Sequence, residues 1–211
     1  MTAPAGQAAL DRYRSHARRL GQRFQALSAA EVLRPVSAHL PQTPASILDI
    51  GAGSGRDVAW FAGQGHRVTA VEPVRELAEQ AANLPGAEQA EWIIDGLPDL
   101  TKLRDRTGDF DLCLLSGVWQ HMPEGHRARS LTQIAKLLRP GGQLILSLRL
   151  DPTPDGETIF PIDTEETIRQ ALRAGFELEC QASTPSVQPE NIAAGVHWTW
   201  LVLKHLTGER A

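Results

Sequence analysis

The 211-residue chain predicts a doubly wound α/β fold, a mostly parallel seven-stranded sheet with helices on both faces, on three observations. Apolar strand-like segments alternate with helix-periodic ones along the chain. The first such strand runs directly into a glycine cluster, Gly51-Ala52-Gly53-Ser54-Gly55, and a second turn, Arg139-Pro140-Gly141-Gly142, feeds a later strand. Strand–helix alternation builds a sheet whose crossovers cover both faces. Right-handed crossovers then place any ligand beyond the carboxyl ends of the first strands. No repeat and no linker interrupts the pattern, so one domain is expected.

The elements follow in order. Residues 10–40 are helical in pattern, with Leu10, Tyr13, Ala17, Leu20, Phe24 and Leu27 at three- and four-residue spacing. Pro41 and Pro44 precede a strand at 46–50, and a helix from Asp57 stops at Gly63 and Gly65. A second strand covers 67–72, a helix 77–84, and a third strand 91–94. Residues 110–116 read as a fully buried strand, followed by a loop and a helix over 124–138. The 139–142 turn leads into a strand at 143–148. A Pro-rich loop (152–161), a helix near 164–174 and strands near 176–182 and 198–205 complete the reading.

Composition narrows the function. Apolar residues are 42% and charged residues 22%, the balance of an ordinary globular protein, and the formal net charge is −4 with no basic tract. A phosphate-backbone footprint is therefore missing, which argues against a nucleic-acid partner. No apolar run is long enough for a membrane span. Cys113 and Cys180 both fall within strand-like segments, as inert thiols of a reducing cytoplasm do. The seven histidines lack metal-ligand spacing, so no metal is expected.

The glycine turn carries the chemistry. Glycines between a strand and a helix let backbone approach a bound molecule without a Cβ in the way. Dinucleotide sites use G-x-G-x-x-G to lay a diphosphate on the helix N-terminus. Here the pattern is G-x-G-x-G, Arg56 occupies the third dinucleotide position, and Asp49 precedes the first glycine by two residues. An acid there suits a cationic amine better than a diphosphate. Ile47 to Asp57 thus resembles motif I of the class I S-adenosylmethionine-dependent methyltransferases. Glu72 at the end of the second strand, Asp95 after the third, Phe110 to Ser116, and Leu137 to Leu144 (L-x-P-G-G-x-L) extend the resemblance over roughly residues 45–148. The Arg56-Asp57-x-x-Trp60, Trp119-x-His121-Met122 and Ser147-Leu148-Arg149 segments are similar to small bacterial methyltransferases of the tellurite-resistance and "methyltransferase domain" type.

The resemblance implies S-adenosylmethionine as cofactor, a helical lid over 1–40, a cofactor core over 45–148, and acceptor-side loops over 149–211. It implies cofactor contacts from Asp49, Gly51, Ala52, Gly53, Glu72, Pro73, Asp95, Gly96, Leu97, Ser116 and Trp119, with Glu72 accepting from the ribose hydroxyls. Tyr13 and Arg14 on the lid would reach the methionine carboxylate, although Tyr13 also fits a core position. His121 is the candidate general base, or else a histidine that orders its loop. Arg149 and Trp198 are candidate acceptor residues: the arginine for an anionic substrate or a surface ion pair, the tryptophan for the pocket wall or core. Trp119 is likewise open between pocket and core. Base-amino enzymes carry an Asn/Asp-Pro-Pro-aromatic loop where this chain has Ser116-Gly117-Val118-Trp119, so a small-molecule acceptor is favoured. Two other classes remain at this point: a cofactor-binding partner without catalysis, and a nicotinamide-dependent oxidoreductase, which Arg56 and the missing Tyr-x-x-x-Lys pair disfavour.

Overall fold

A computed structural model describes residues 6–150 and 159–206. The Pro-rich loop expected at 152–161 therefore falls mostly outside the described residues. Seven strands form one sheet in the order β3-β2-β1-β4-β5-β7-β6. They are β1 (Ser46–Ile50), β2 (Arg67–Val71), β3 (Glu91–Ile93), β4 (Phe110–Leu115), β5 (Leu138–Arg149), β6 (Phe176–Pro185) and β7 (His197–His205). The first five pair in parallel, and β7 is antiparallel to both β5 and β6. The chain reverses its direction of travel across the sheet between β1 and β4, which opens a crevice at their carboxyl ends.

Alternation along the buried strands builds two apolar layers. Leu48, Ile50, Cys113, Leu115, Leu144 and Leu146 face Leu131 and Ile134 of α6 (Glu124–Leu137) and Ile168 and Ala171 of α7 (Thr164–Arg173). Ile47, Leu112, Leu114, Ile145 and Val202 face Val58 and Phe61 of α4 (Arg56–Ala62) together with Leu33 and Val36. The start of α7 is fixed by Asp163, whose side chain accepts from Glu166 N at 3.1 Å.

Three expectations are corrected. The helical stretch over 10–40 is three helices, α1 (Gln7–Ser15), α2 (Ala17–Gln25) and α3 (Ala29–Leu33), followed by a 3₁₀ turn at Arg34–His39. The backbone leaves helical geometry at His16 (φ −118°, ψ 16°). Ser28 then restarts it, its hydroxyl accepting from Glu31 N. The helix expected at 77–84 is a single turn, α5 (Arg75–Ala78), tightening into a 3₁₀ segment at Glu79–Asn83. The 139–142 turn is not a boundary before β5 but a bulge inside it. Leu138 pairs with Phe110 and Gln143 already pairs with Leu112, so the four intervening residues stand against one.

Candidate active site

A cavity of about 720 Å³ opens beyond the carboxyl ends of β1, β2, β4 and β5. Its floor is the turn after β1. Gly51 N and Ala52 N both donate to the Val71 carbonyl, which bends the chain sharply out of the sheet. Gly51 lies at φ +73°, where an added Cβ would sit 2.5 Å from Val118 Cγ2. Gly53, at φ +57°, meets nothing closer than Phe24 at 3.8 Å and leaves open space over its backbone.

Acids gather around this turn. Glu72, 4% exposed, accepts from Gly53 N and from Val74 N, each at 2.8 Å, so one carboxylate ties the glycine turn to the end of β2. Burial raises its pKa to about 7 against the pull of those two bonds. Asp49 is buried on β1 and lines the cavity, and its Oδ2 has no partner among the described residues. Burial first, then the neighbouring Asp57 and Glu72 charges, hold its carboxyl well above the usual carboxylate range, with Arg56 opposing them. Arg56 grips Asp57 through Nε to Oδ1 at 2.8 Å and Nη2 to Oδ2 at 2.6 Å, and reaches Ser116 Oγ at 3.3 Å. Three carboxyls against one cation form a pocket end that favours a positive ligand.

The opposite end is formed by β5, β7 and the N-terminal helices. Ser147, Arg149, Trp198 and Trp200 line it, and Ser147 Oγ accepts from Gly117 N at 2.8 Å. Tyr13 descends from α1 and its hydroxyl meets His121 Nε2 at 3.0 Å, the two rings edge to face at 5.3 Å. Gln120 Nε2 approaches the same imidazole nitrogen at 3.3 Å while also donating to Gly117 O. An amide nitrogen only donates, so His121 Nε2 is the accepting nitrogen and Nδ1 carries the ring proton.

Most of the expected site residues converge on this cavity: Tyr13, Asp49, Gly51, Ala52, Gly53, Glu72, Pro73, Gly96, Leu97, Ser116, His121, Arg149 and Trp198 all line it. Three do not. Trp119 is fully buried and packs with Leu48, Ile50 and Leu115 in the layer under α6. It opens a 3₁₀ turn (Trp119–His121), in which successive side chains point about 120° apart, so Trp119 enters the core while Gln120 and His121 meet the cavity. Arg14 faces outward and bonds Asp11 at 2.8 Å, because the inner stripe of α1 is Ala9, Leu10 and Tyr13. Asp95 turns away from the cavity to accept from Gly96 N at 2.8 Å and Lys102 N at 2.7 Å, and so orders the loop whose Gly96 and Leu97 form the wall.

Sequence reasoning expects the helix around Tyr13 to Phe24 and the segment 183–198 on the acceptor side, but does not single out the residues that build the wall there. Arg19, Arg23, Phe24 and Leu27 line the cavity from α2 and the turn that follows it, opposite Ser186, Gln188 and Asn191. Arg23 Nη2 bridges the two sides, donating to Gln188 Oε1 at 2.6 Å and Glu190 Oε2 at 3.3 Å. A usable signal was present in α2, where arginines interrupt an otherwise apolar three- and four-residue spacing. Among the described residues no helix is long and apolar enough to cross a membrane, and no cluster of side chains is fit to hold a metal ion.

Comparison with known proteins finds similar chains. The family described as "Methyltransferase domain" matches residues 47–142. The chain is 29% identical over 176 residues to a ubiquinone biosynthesis O-methyltransferase of Xanthomonas oryzae pv. oryzae, spanning 82% of this chain and 69% of that one. Its fold is similar, with a TM-score of 0.73 and 26% identity, to Burkholderia thailandensis 1,6-didemethyltoxoflavin-N1-methyltransferase, solved with 1,6-didemethyltoxoflavin and S-adenosylhomocysteine bound. That match covers 98% of this chain and 92% of the other. A TehB-like SAM-dependent methyltransferase from Corynebacterium glutamicum shares the fold at a TM-score of 0.66 and 23% identity, over 92% of this chain and 99% of that one.

Proposed function

We propose that this chain is a class I S-adenosylmethionine-dependent methyltransferase, acting on a small-molecule acceptor seated between His121 and the β5–β7 wall. The supporting observation is the continuity of one cavity, acidic and glycine-floored at the β1–β2 end and aromatic with an arginine at the other. S-Adenosylmethionine fits the acidic end. Asp49 Oδ2, buried and without a partner among the described residues, suits a cationic amine, and the open backbone at Gly53 admits a close neighbour. Each Glu72 oxygen already accepts one backbone N–H and keeps a lone pair for a ribose hydroxyl. The same acids disfavour a dinucleotide diphosphate, and Arg56, which would have to make way for it, is committed to Asp57.

When bound, the cofactor supplies a sulfonium methyl, an electrophile strong enough that alignment is most of what the protein must add. Gly117, fixed through Ser147 Oγ, and Ser116, fixed through Arg56, border the route from one end of the cavity to the other. α1 and α2 cover it and exclude water. His121 Nε2 takes the acceptor's proton, where there is one, as the acceptor displaces the Tyr13 and Gln120 donors from its one lone pair.

The test is calorimetric titration with S-adenosylhomocysteine and with NAD, followed by a metabolite-extract screen using methyl-labelled cofactor. Binding of S-adenosylhomocysteine, no binding of NAD, and label in a low-molecular-weight product are expected. NAD binding without S-adenosylhomocysteine binding would overturn the cofactor assignment; label found only in nucleic acid or protein would overturn the acceptor assignment.

A further inference from the structure

β5 and β7 run antiparallel with Ser147 opposite Trp200 and Arg149 opposite Trp198. Residues directly opposite, and residues two apart on one strand, share a face of the sheet. These four side chains therefore form one patch, and all four line the cavity. In register, Asp49 aligns with Leu114 and Leu114 with Ile145. Arg149 thus stands two strands, about 10 Å, to the side of the Gly51 row, and two residues, about 7 Å, further out. It lies at the end away from Glu72.

Arg149 is 8% exposed, yet Nε and Nη2 are buried without a hydrogen-bond partner among the described residues. A guanidinium withdrawn from water and left unpaired is costly, and a folded chain keeps one where a ligand completes it. The two open donors are not arbitrary. Nε–H and Nη2–H share one edge of the planar group and point in parallel, the fork that takes both oxygens of a carboxylate. The chain uses that same edge elsewhere: Arg56 Nε and Nη2 hold the two oxygens of Asp57.

From this fork and its aromatic flank we infer that the methyl acceptor is a small aromatic carboxylic acid, its carboxylate gripped by Nε and Nη2 of Arg149 and its ring lying against Trp198. The inference rests on the cavity being a methyltransferase site and adds the class of acceptor. The carboxylate anchors the far end of the molecule and leaves a different atom to face the methyl group. Preference for an anion is not a bulk effect, since the chain carries a formal net charge of −4.

The probes are naphthalene-2-carboxylate and its neutral isostere naphthalene-2-carboxamide, titrated into protein saturated with S-adenosylhomocysteine. The carboxylate should bind at least tenfold more tightly than the amide. Arg149→Gln should bring the two within twofold of each other while S-adenosylhomocysteine affinity changes by less than twofold, which also shows that the variant is folded. Arg149→Lys, retaining charge without the fork, should recover only part of the preference. Equal binding of the probes by the wild-type protein, binding of neither, or a preference that survives Arg149→Gln overturns the inference. A tenfold loss of S-adenosylhomocysteine affinity in Arg149→Gln also overturns it, because the arginine would then serve the cofactor. Wild-type protein that takes no S-adenosylhomocysteine sinks the methyltransferase reading itself, whereas cofactor binding without carboxylate preference sinks only the acceptor class.

Discussion

As the proposed base, His121 depends on its neighbours and not on its own position alone. Two donors, the Tyr13 hydroxyl and the Gln120 amide, converge on Nε2 and keep that nitrogen unprotonated at rest. Tyr13 comes from α1, so the imidazole is oriented only where that helix is docked. His121→Ala should lower the single-turnover rate at least about a hundredfold with S-adenosylhomocysteine affinity unchanged. Tyr13→Phe, which leaves the imidazole in place, should lower it less, by roughly fivefold to tenfold, and displace the acidic limb of the pH–rate profile. Parallel losses of rate and melting temperature in His121→Ala, with an unmoved pH profile in Tyr13→Phe, would make the pair a structural contact.

The first two helices are secured differently. α2 is bonded to the body: Ser54 Oγ donates to Gly21 O at 3.0 Å, Gln25 Nε2 to Ser54 O at 2.9 Å, and Gln80 Nε2 to Ala17 O at 2.9 Å. Its Ala17 packs on Val74 and Leu77. In α1 only Ala9 is buried, and the chain breaks at His16 between the two. Hydrogen exchange should therefore separate them. Amides of 7–15 should gain at least about tenfold protection on addition of S-adenosylhomocysteine, and those of 17–25 should change little. Equal protection of α1 with and without ligand would make it a fixed wall. The same contrast explains what was legible in the sequence. Local features, such as the strand ending in Gly51 or the acid closing β2 at Glu72, are set within a few residues of chain and were readable there. Trp119 and His121 lie two residues apart in one loop, and only the phase of a 3₁₀ turn sends one to the core and the other to the cavity. Arg23 and Gln188 meet across 165 residues of chain. That contact depends on where the breaks at His16 and Ser28 aim α2, which periodicity does not encode.

At the scale of the whole molecule, the sheet is stabilised by two dense apolar layers that support a crevice of unfavourable charge, and this trade has a measurable signature. The folded-state pKa of Glu72 is raised from 4.5 to about 7, so its carboxyl binds a proton more tightly folded than unfolded. The corresponding stability is present in full below about pH 4.5 and is lost as pH rises through about 7, a difference of about 3 kcal/mol. Asp49, raised in the same direction, adds to this slope, and His66, lowered by burial, opposes it. Glu72→Gln isolates the one contribution. Its amide leaves one of the two backbone N–H groups of Gly53 and Val74 unsatisfied, which lowers stability at every pH but adds no pH dependence. Between pH 5 and 8 the melting temperature of the ligand-free wild-type protein should therefore fall relative to Glu72→Gln, by roughly 5–10 °C for a chain of this size. Saturating S-adenosylhomocysteine should remove most of that relative fall, because a ligand that needs the ionised carboxylate binds more weakly as pH drops below about 7 and more tightly above it. Parallel melting curves for the two proteins across the whole range would show that Glu72 titrates as an ordinary carboxylate and that the acidic end of the cavity is not under this strain.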